Sequence, residues 1–191
     1  MVNESNQREL VALLKEIDER LSEKWPGRKT VIYVFGGAAA VIAYAARRGT
    51  VDLDIYFEDL DVEAKLLEWA GQGSELDRKF GVYIQSANTT LMLLEDPEWR
   101  KRSAEIMQGA FKGLRVKALS KEDLILSKLS RYNERDREDI RHLIKDCDAK
   151  ARILIKSYKA ARSYYVGDTR RLDQTFNIVL KEHFDMEPIT F

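Results

Sequence analysis

The sequence predicts an α+β fold: a short mixed β-sheet flanked by helices, with a C-terminal helical bundle. Three observations carry this expectation. Over the first two-thirds, β-branched and aromatic runs such as Val31–Phe35 alternate with apolar runs at helical spacing. Glycines stand at the junctions between them, as at Gly36 and Gly37. After Ser120 the strand signal stops and capped amphipathic helices follow. The boundary places an α/β core at 1–119 and a helical region at 120–191, expected to pack on it as one compact unit.

Taken in order, residues 4–23 read as a helix, with Leu10, Leu13, Leu14, Ile17 and Leu21 on one face. Pro26 and Gly27 end it. Strand 31–35 leads to Gly36–Gly37, and AAAVIAYAA reads as a helix buried nearly all round. Arg47, Arg48 and Gly49 close that helix, and Thr50 opens a strand carrying Asp52 and Asp54. A helix over 61–71 precedes two predicted strands, 80–86 and 89–94, joined at Ala87–Asn88. Further strands are expected at 103–108 and 112–118. Ser120 with Asp123 reads as a capping box for the helix that follows. Asn133 reads as the N-cap of the next helix. Two more helices are expected at 148–165 and 169–184, parted at Gly167–Asp168.

Composition narrows the function classes. The chain has 191 residues, with 32 basic and 32 acidic side chains, so global charge predicts no polyanion partner and any such surface must be local. Cys147 is alone, which excludes a disulfide framework and a cysteine zinc site. His142 and His183 have no ligand spacing. No apolar run reaches membrane-spanning length and the first ten residues are polar, so a cytoplasmic protein with no membrane partner is expected.

The densest chemistry lies in 31–59. Side chains alternate across a strand, so Asp52 and Asp54 share a face. Two adjacent carboxylates repel and require a counter-ion. A hard divalent cation such as Mg²⁺ suits oxygen ligands. The helix opened by Gly36 and Gly37 presents an N-terminus that can hold phosphate. The competing reading is a solvated carboxylate pair beside an ordinary tight turn. Apolar Val51, Leu53 and Ile55 assign the intervening face to the core.

The run Phe35-Gly36-Gly37-Ala38, followed by Arg48-x-Thr50-Val51-Asp52-Leu53-Asp54-Ile55, resembles the nucleotidyltransferase superfamily of the DNA-polymerase-beta type. That superfamily places a Gly-Gly or Gly-Ser pair, a helix and Asp-x-Asp on a strand. The closer resemblance is to the AbiEii/AbiGii-like branch, found among bacterial toxin–antitoxin and phage-defence proteins. There Arg-x-Thr or Arg-x-Ser precedes Asp-x-Asp. Residues 119–140 are similar to that branch's downstream motif, a helical Lys followed by Arg-Asp-x-x-Asp, at Lys128, Arg135, Asp136 and Asp139. The resemblance spans about 30–145.

The resemblance implies a nucleotidyltransferase-like core that moves a nucleotide from an NTP to an acceptor hydroxyl, with Mg²⁺ or Mn²⁺ as cofactor. It implies metal ligation by Asp52 and Asp54, and phosphate contacts at Gly36, Gly37, Ala38, Arg48 and Thr50. Lys128 would reach the triphosphate, and Asp136 and Asp139 join the catalytic set. RNA, tRNA in particular, is the implied acceptor, and a cognate antitoxin the implied protein partner. The residues alone leave alternatives. Lys128 also reads as a solvated lysine, Asp136 as a helix-end carboxylate, and Asp139 as an intrahelical partner of Arg135. The family's third carboxylate has no counterpart in FGVYIQS or GLRVKAL, which leaves Glu95, Asp96, Asp136 or Asp139 as candidate bases. A non-catalytic nucleotide- or protein-binding member of the fold is therefore the second reading. Residues 150–171 hold basic side chains interleaved with Tyr158, Tyr164 and Tyr165, a pattern that suits RNA but more often marks a solvated face.

Overall fold

A computed structural model describes residues 2–87 and 98–191, with side chains from residue 6 onward. The chain divides into two compact units: Met1–Ala87 with Ser103–Ala118, and Asn88–Arg102 with Leu119–Phe191.

The first unit holds α1 (Val2–Lys24), β1 (Thr30–Val34), α2 (Gly36–Tyr44), β2 (Asp52–Phe57), α3 (Leu60–Ala70), α4 (Glu75–Phe80), β3 (Tyr83–Ser86), β4 (Ala104–Glu105) and β5 (Leu114–Ala118). The strands form one mixed sheet in the order β3-β2-β1-β5-β4. Strand β1 pairs antiparallel with β2 and parallel with β5, and β2 pairs parallel with β3. These pairings sort the side chains by face. Ile32, Val34, Leu53, Ile55, Ile84, Leu114, Val116 and Ala118 are buried on one side. The opposite side carries Asp52, Asp54, Tyr56, Tyr33, Gln85, Arg115 and Lys117. Helices α2 and α3 pack on β2, and α1 packs on α2, α3 and α4. The apolar face of α1 is buried as its spacing predicts.

A buried carboxylate ties α1 to the sheet. Asp18 accepts the backbone N–H groups of Lys112, Gly113 and Leu114 at 2.7, 2.8 and 2.7 Å. Three amides on one carboxylate satisfy donors at the start of β5 that no strand partner reaches.

Three local expectations change. Residues 75–80 form α4, a helix not expected from the spacing, and the strand expected at 80–86 starts only at Tyr83; Ser74 caps α4 by accepting the Asp77 N–H. The expected strand at 103–108 shrinks to Ala104–Glu105, because Met107 turns into the left-handed region at φ 53°. Val51 lies before β2 and is 57% exposed, so the apolar face of that strand begins at Leu53. The expected strand 89–94 and the acids Glu95 and Asp96 lie outside the described residues.

The second unit contains α5 (Trp99–Arg102), α6 (Lys121–Leu129), α7 (Glu134–Lys145), α8 (Ala151–Arg162) and α9 (Thr169–Phe184). Helix α6 contacts α7, α8 and α9. Its cap Ser120 accepts the Asp123 N–H, while the buried Asp123 carboxylate takes both Arg102 nitrogens at 2.8 Å. Asn133 caps α7 in a full capping box with Asp136. Tyr158 lies in the core, stacked on Phe176 at 3.8 Å, and Phe191 meets both rings edge-on. The core face of α8 is Leu154, Tyr158 and Ala161, whereas Ile153 is 45% exposed.

Candidate functional site

The first unit brings the glycine pair, Arg48, Thr50 and the two aspartates together. Helix α2 starts at Gly36 with Phe35 as N-cap, no side chain caps it, and its first turn holds no acid. Helices α3, α4, α6, α7 and α9 are each capped by a side chain: Asp59, Ser74, Ser120, Asn133 and Asp168. Helix α8, with Lys150 as N-cap, likewise has no side-chain cap, so the first amides of α2, at Gly36, Gly37 and Ala38, share their donor character with that start and differ from it in the glycines and the strand beside them.

Glycine at 36 and 37 is a steric requirement. Gly36 adopts φ 58°, and a Cβ there would collide with Asp54 Oδ2. A Cβ on Gly37 would collide with Arg48 Nη2. The carboxylate and the guanidinium therefore lie directly against consecutive residues of the first turn. The Phe35 N–H donates to the Asp54 carbonyl at 2.9 Å, which fixes the turn to β2.

The aspartates are both half-buried on the polar face of β2. Each carboxylate has a neutral donor. The Thr50 hydroxyl donates to Asp52 Oδ1, and Gln85 Nε2 donates to Asp54 Oδ1 at 2.6 Å. Thr50 is itself held by Asn6 of α1, whose side chain accepts the Thr50 N–H and donates to its carbonyl, both at 2.9 Å. Asn6 and Gln85 went unnoticed in the sequence. Asn6 is one polar residue among many near the start of α1. Gln85 becomes visible only once β3 is known to pair parallel with β2 in the register Asp54↔Gln85.

This donor set fits a hard divalent cation. Mg²⁺ is commonly held by one or two carboxylates, with water and substrate phosphates completing its octahedron. Asp52 and Asp54 would hold the ion. Among the described residues no group of three or more His, Cys, Asp or Glu could do so. Neither β3 nor β5 contains an acid.

Lys128, Asp136 and Asp139 form a separate cluster within the second unit. The Lys128 side chain is 1% exposed, so it is not a solvated lysine. Its Nζ lies 2.6 Å from Asp139 Oδ2 and 3.5 Å from Asp136 Oδ1. Arg131 adds a second cation to Asp136 at 3.1 Å, and the Asp136 carboxylate accepts the Asn133 N–H in the capping box. The lysine expected to extend toward a triphosphate is engaged with two buried carboxylates of its own helix pair. Asp136 combines that ion pair with the helix-end role its position predicts.

The basic stretch also resolves residue by residue. Tyr158 is buried and donates to Asp173 at 2.6 Å, so it is no base-stacking platform. Tyr164 is 51% exposed. Arg152, Lys156 and Lys159 are exposed at helical spacing along α8, a helix without an acid.

No described helix is long and apolar enough to cross a membrane. Comparison with curated proteins and with solved structures finds no match. Residues 8–184 match the family described as nucleotidyltransferase of unknown function (DUF6036), nearly the whole chain including both clusters. The glycine turn against Asp54 and Arg48, on a mixed sheet flanked by helices, thus belongs to a member of that nucleotidyltransferase family.

Proposed function

We propose that the chain transfers a nucleotide from an NTP, bound as its Mg²⁺ or Mn²⁺ complex, to an acceptor hydroxyl with release of pyrophosphate. One observation carries this reading: an uncapped helix start, with Asp54 and Arg48 pressed against its two glycines. Backbone amides and a guanidinium beside a carboxylate pair suit a triphosphate and its counter-ion. The bound cation would offset the charge that builds up as pyrophosphate leaves. The protein supplies position: Thr50 and Gln85 orient the carboxylates, and Gly36 and Gly37 let Asp54 and Arg48 lie against the helix start.

RNA is the acceptor we favour, tRNA in particular. Arg152, Lys156 and Lys159 offer a run of exposed cations to a phosphate backbone. The likeness of Arg48-x-Thr50-x-Asp52-x-Asp54 and of Lys128 with Asp136 and Asp139 to the AbiEii/AbiGii-like branch supports a toxin role with a neutralising partner protein. The test is label transfer from each of the four NTPs to total RNA with Mg²⁺. Transfer by the wild type that is lost in Asp54→Ala supports the reading; transfer that survives the substitution removes it. Induced expression should arrest growth, and the same variant should relieve the arrest. Growth unaffected by the wild type would remove the toxin role alone.

A second reading has its own observation. Gln85 stands beside Asp54 where a third acid would complete the carboxylate set, and β3 and β5 supply none. In a non-catalytic member of the fold, NTP binds with Mg²⁺ and no acceptor is modified. Saturable NTP binding without turnover on any RNA would select it.

A further inference from the structure

The neutrality of the Gln85 amide is the feature that the transfer reading does not use. It is placed by the sheet: β3 runs parallel to β2 with Gln85 in register with Asp54, and the Nε2–Oδ1 distance is 2.6 Å. Both side chains are half-buried, which makes the contact stronger than one in open solvent. The other carboxylate oxygen, Oδ2, is boxed in by the Gly36 backbone, where a Cβ would not fit. Asp54 is thereby fixed from two sides, by a neutral donor and by a helix start.

The charge of this arrangement follows from its chemistry. A carboxylate at 85 would bring three negative charges together, and part of that repulsion would be relieved only by a cation or a proton. An amide supplies orientation without charge. The site then holds two carboxylate charges with the Arg48 guanidinium against the same helix start, and ligand charge count is a main determinant of affinity for hard divalent cations. Two carboxylates also leave most of an octahedral shell to water or to phosphate oxygens.

We propose that Gln85 is a positioning residue that fixes Asp54 and keeps cation affinity low, so that the divalent cation enters with the nucleotide's triphosphate and is not resident. The proposal rests on the reading of Asp52 and Asp54 as the cation site. It makes Gln85 a determinant of the order of binding, through a property that activity alone does not report.

The experiment is Mn²⁺ titration of the full chain, followed by the electron paramagnetic resonance of free Mn²⁺, with and without a non-hydrolysable NTP analogue. Wild-type protein should bind Mn²⁺ weakly alone and saturably with the analogue. Gln85→Glu should tighten nucleotide-free Mn²⁺ binding by about tenfold or more, because it adds one ligand charge. Gln85→Ala keeps the charge and loses the orientation. Its nucleotide-free affinity should stay close to wild type, while analogue-dependent binding weakens.

Melting with and without Mn²⁺ guards against a folding artefact. A Gln85→Glu protein that is destabilised by like-charge repulsion should be rescued by Mn²⁺ more than the wild type is. Tight Mn²⁺ binding by wild type without nucleotide, or a Gln85→Glu variant that neither tightens binding nor gains stability from Mn²⁺, overturns the proposal. Asp54→Ala separates the two levels. If it leaves analogue-dependent Mn²⁺ binding unchanged, the cation-site reading falls and takes the proposal with it. If it abolishes that binding while Gln85→Glu has no effect, the cation site stands and only the role of Gln85 falls.

Discussion

The starts of α2 and α7 solve the same problem in opposite ways. Both present orphan amides and both have aspartates nearby. At α7, Asn133 and Asp136 cap each other's backbone, and Asp136 and Asp139 are engaged by Lys128 and Arg131. The donors and charges there are matched internally. At α2 the N-cap is Phe35, which has no side-chain acceptor, and two half-buried aspartates line up on the adjacent strand. The lesson is that the same residue types serve structure when their partners are internal. At α2 the aspartates take neutral donors instead, Thr50 on Asp52 and Gln85 on Asp54, beside the Arg48 guanidinium.

The widest separation between the two clusters should come from single substitutions. Asp54→Ala should reduce transfer by on the order of 10³-fold, about 4 kcal/mol of transition-state stabilisation, with little change in thermal stability. Lys128→Ala should do the reverse. Removing a buried cation from two carboxylates costs about 3–5 kcal/mol, read as a lower midpoint in urea denaturation. A Lys128→Ala protein as stable as wild type, yet inactive, would move Lys128 into the nucleotide site and erase the contrast.

Smaller substitutions sharpen the same comparison at the backbone. Gly37→Ala forces Arg48 away from the first turn of α2. Overpacking of this kind costs about 1–3 kcal/mol, and NTP affinity should fall with it. Asn133→Ala removes a cap and should cost about 1 kcal/mol with NTP affinity intact. Equal effects of both substitutions on NTP binding would show that the two helix starts are not functionally distinct.

Much of the first cluster is legible in the amino-acid sequence. Strand alternation put Asp52 and Asp54 on one face, and the glycine pair marked a helix start. The position of Asn133 likewise announced the cap of α7. What stayed hidden was everything that depends on pairing between distant segments. Register between β2 and β3 brings Gln85 to Asp54, and a long-range contact brings Asn6 to Thr50. The same limit applied to Lys128. Local spacing described an ordinary helix surface, and only the packing of α6 on α7 buried that lysine between two aspartates. Helix α4 is hidden in the sequence because six residues between Ser74 and Gly81 are too few to show helical periodicity, and the strand signal of 80–86 overlaps its last residue.

The closed character of the helical unit also predicts its response to acid. Asp173 accepts both nitrogens of Arg162 at 2.7 and 2.8 Å and the Tyr158 hydroxyl at 2.6 Å. The Arg162 hydrogen bonds, followed by the Tyr158 hydroxyl, hold its pKa below the ordinary 3.8. Burial and the neighbouring carboxylate push the Tyr158 phenol up, so it remains a donor. A depressed carboxylate stabilises the fold above its unfolded pKa, where the folded and unfolded forms are both ionised. That contribution is lost as pH falls through the depressed folded value, because the unfolded chain takes up the proton first. The gap in Tm between wild type and Asp173→Asn should therefore be constant at neutral pH and close below about pH 3.8. Calorimetric scans across that range decide it. A gap that persists to the lowest pH would mean that packing of Tyr158 against Phe176, and not the ion pair, carries the effect of the substitution.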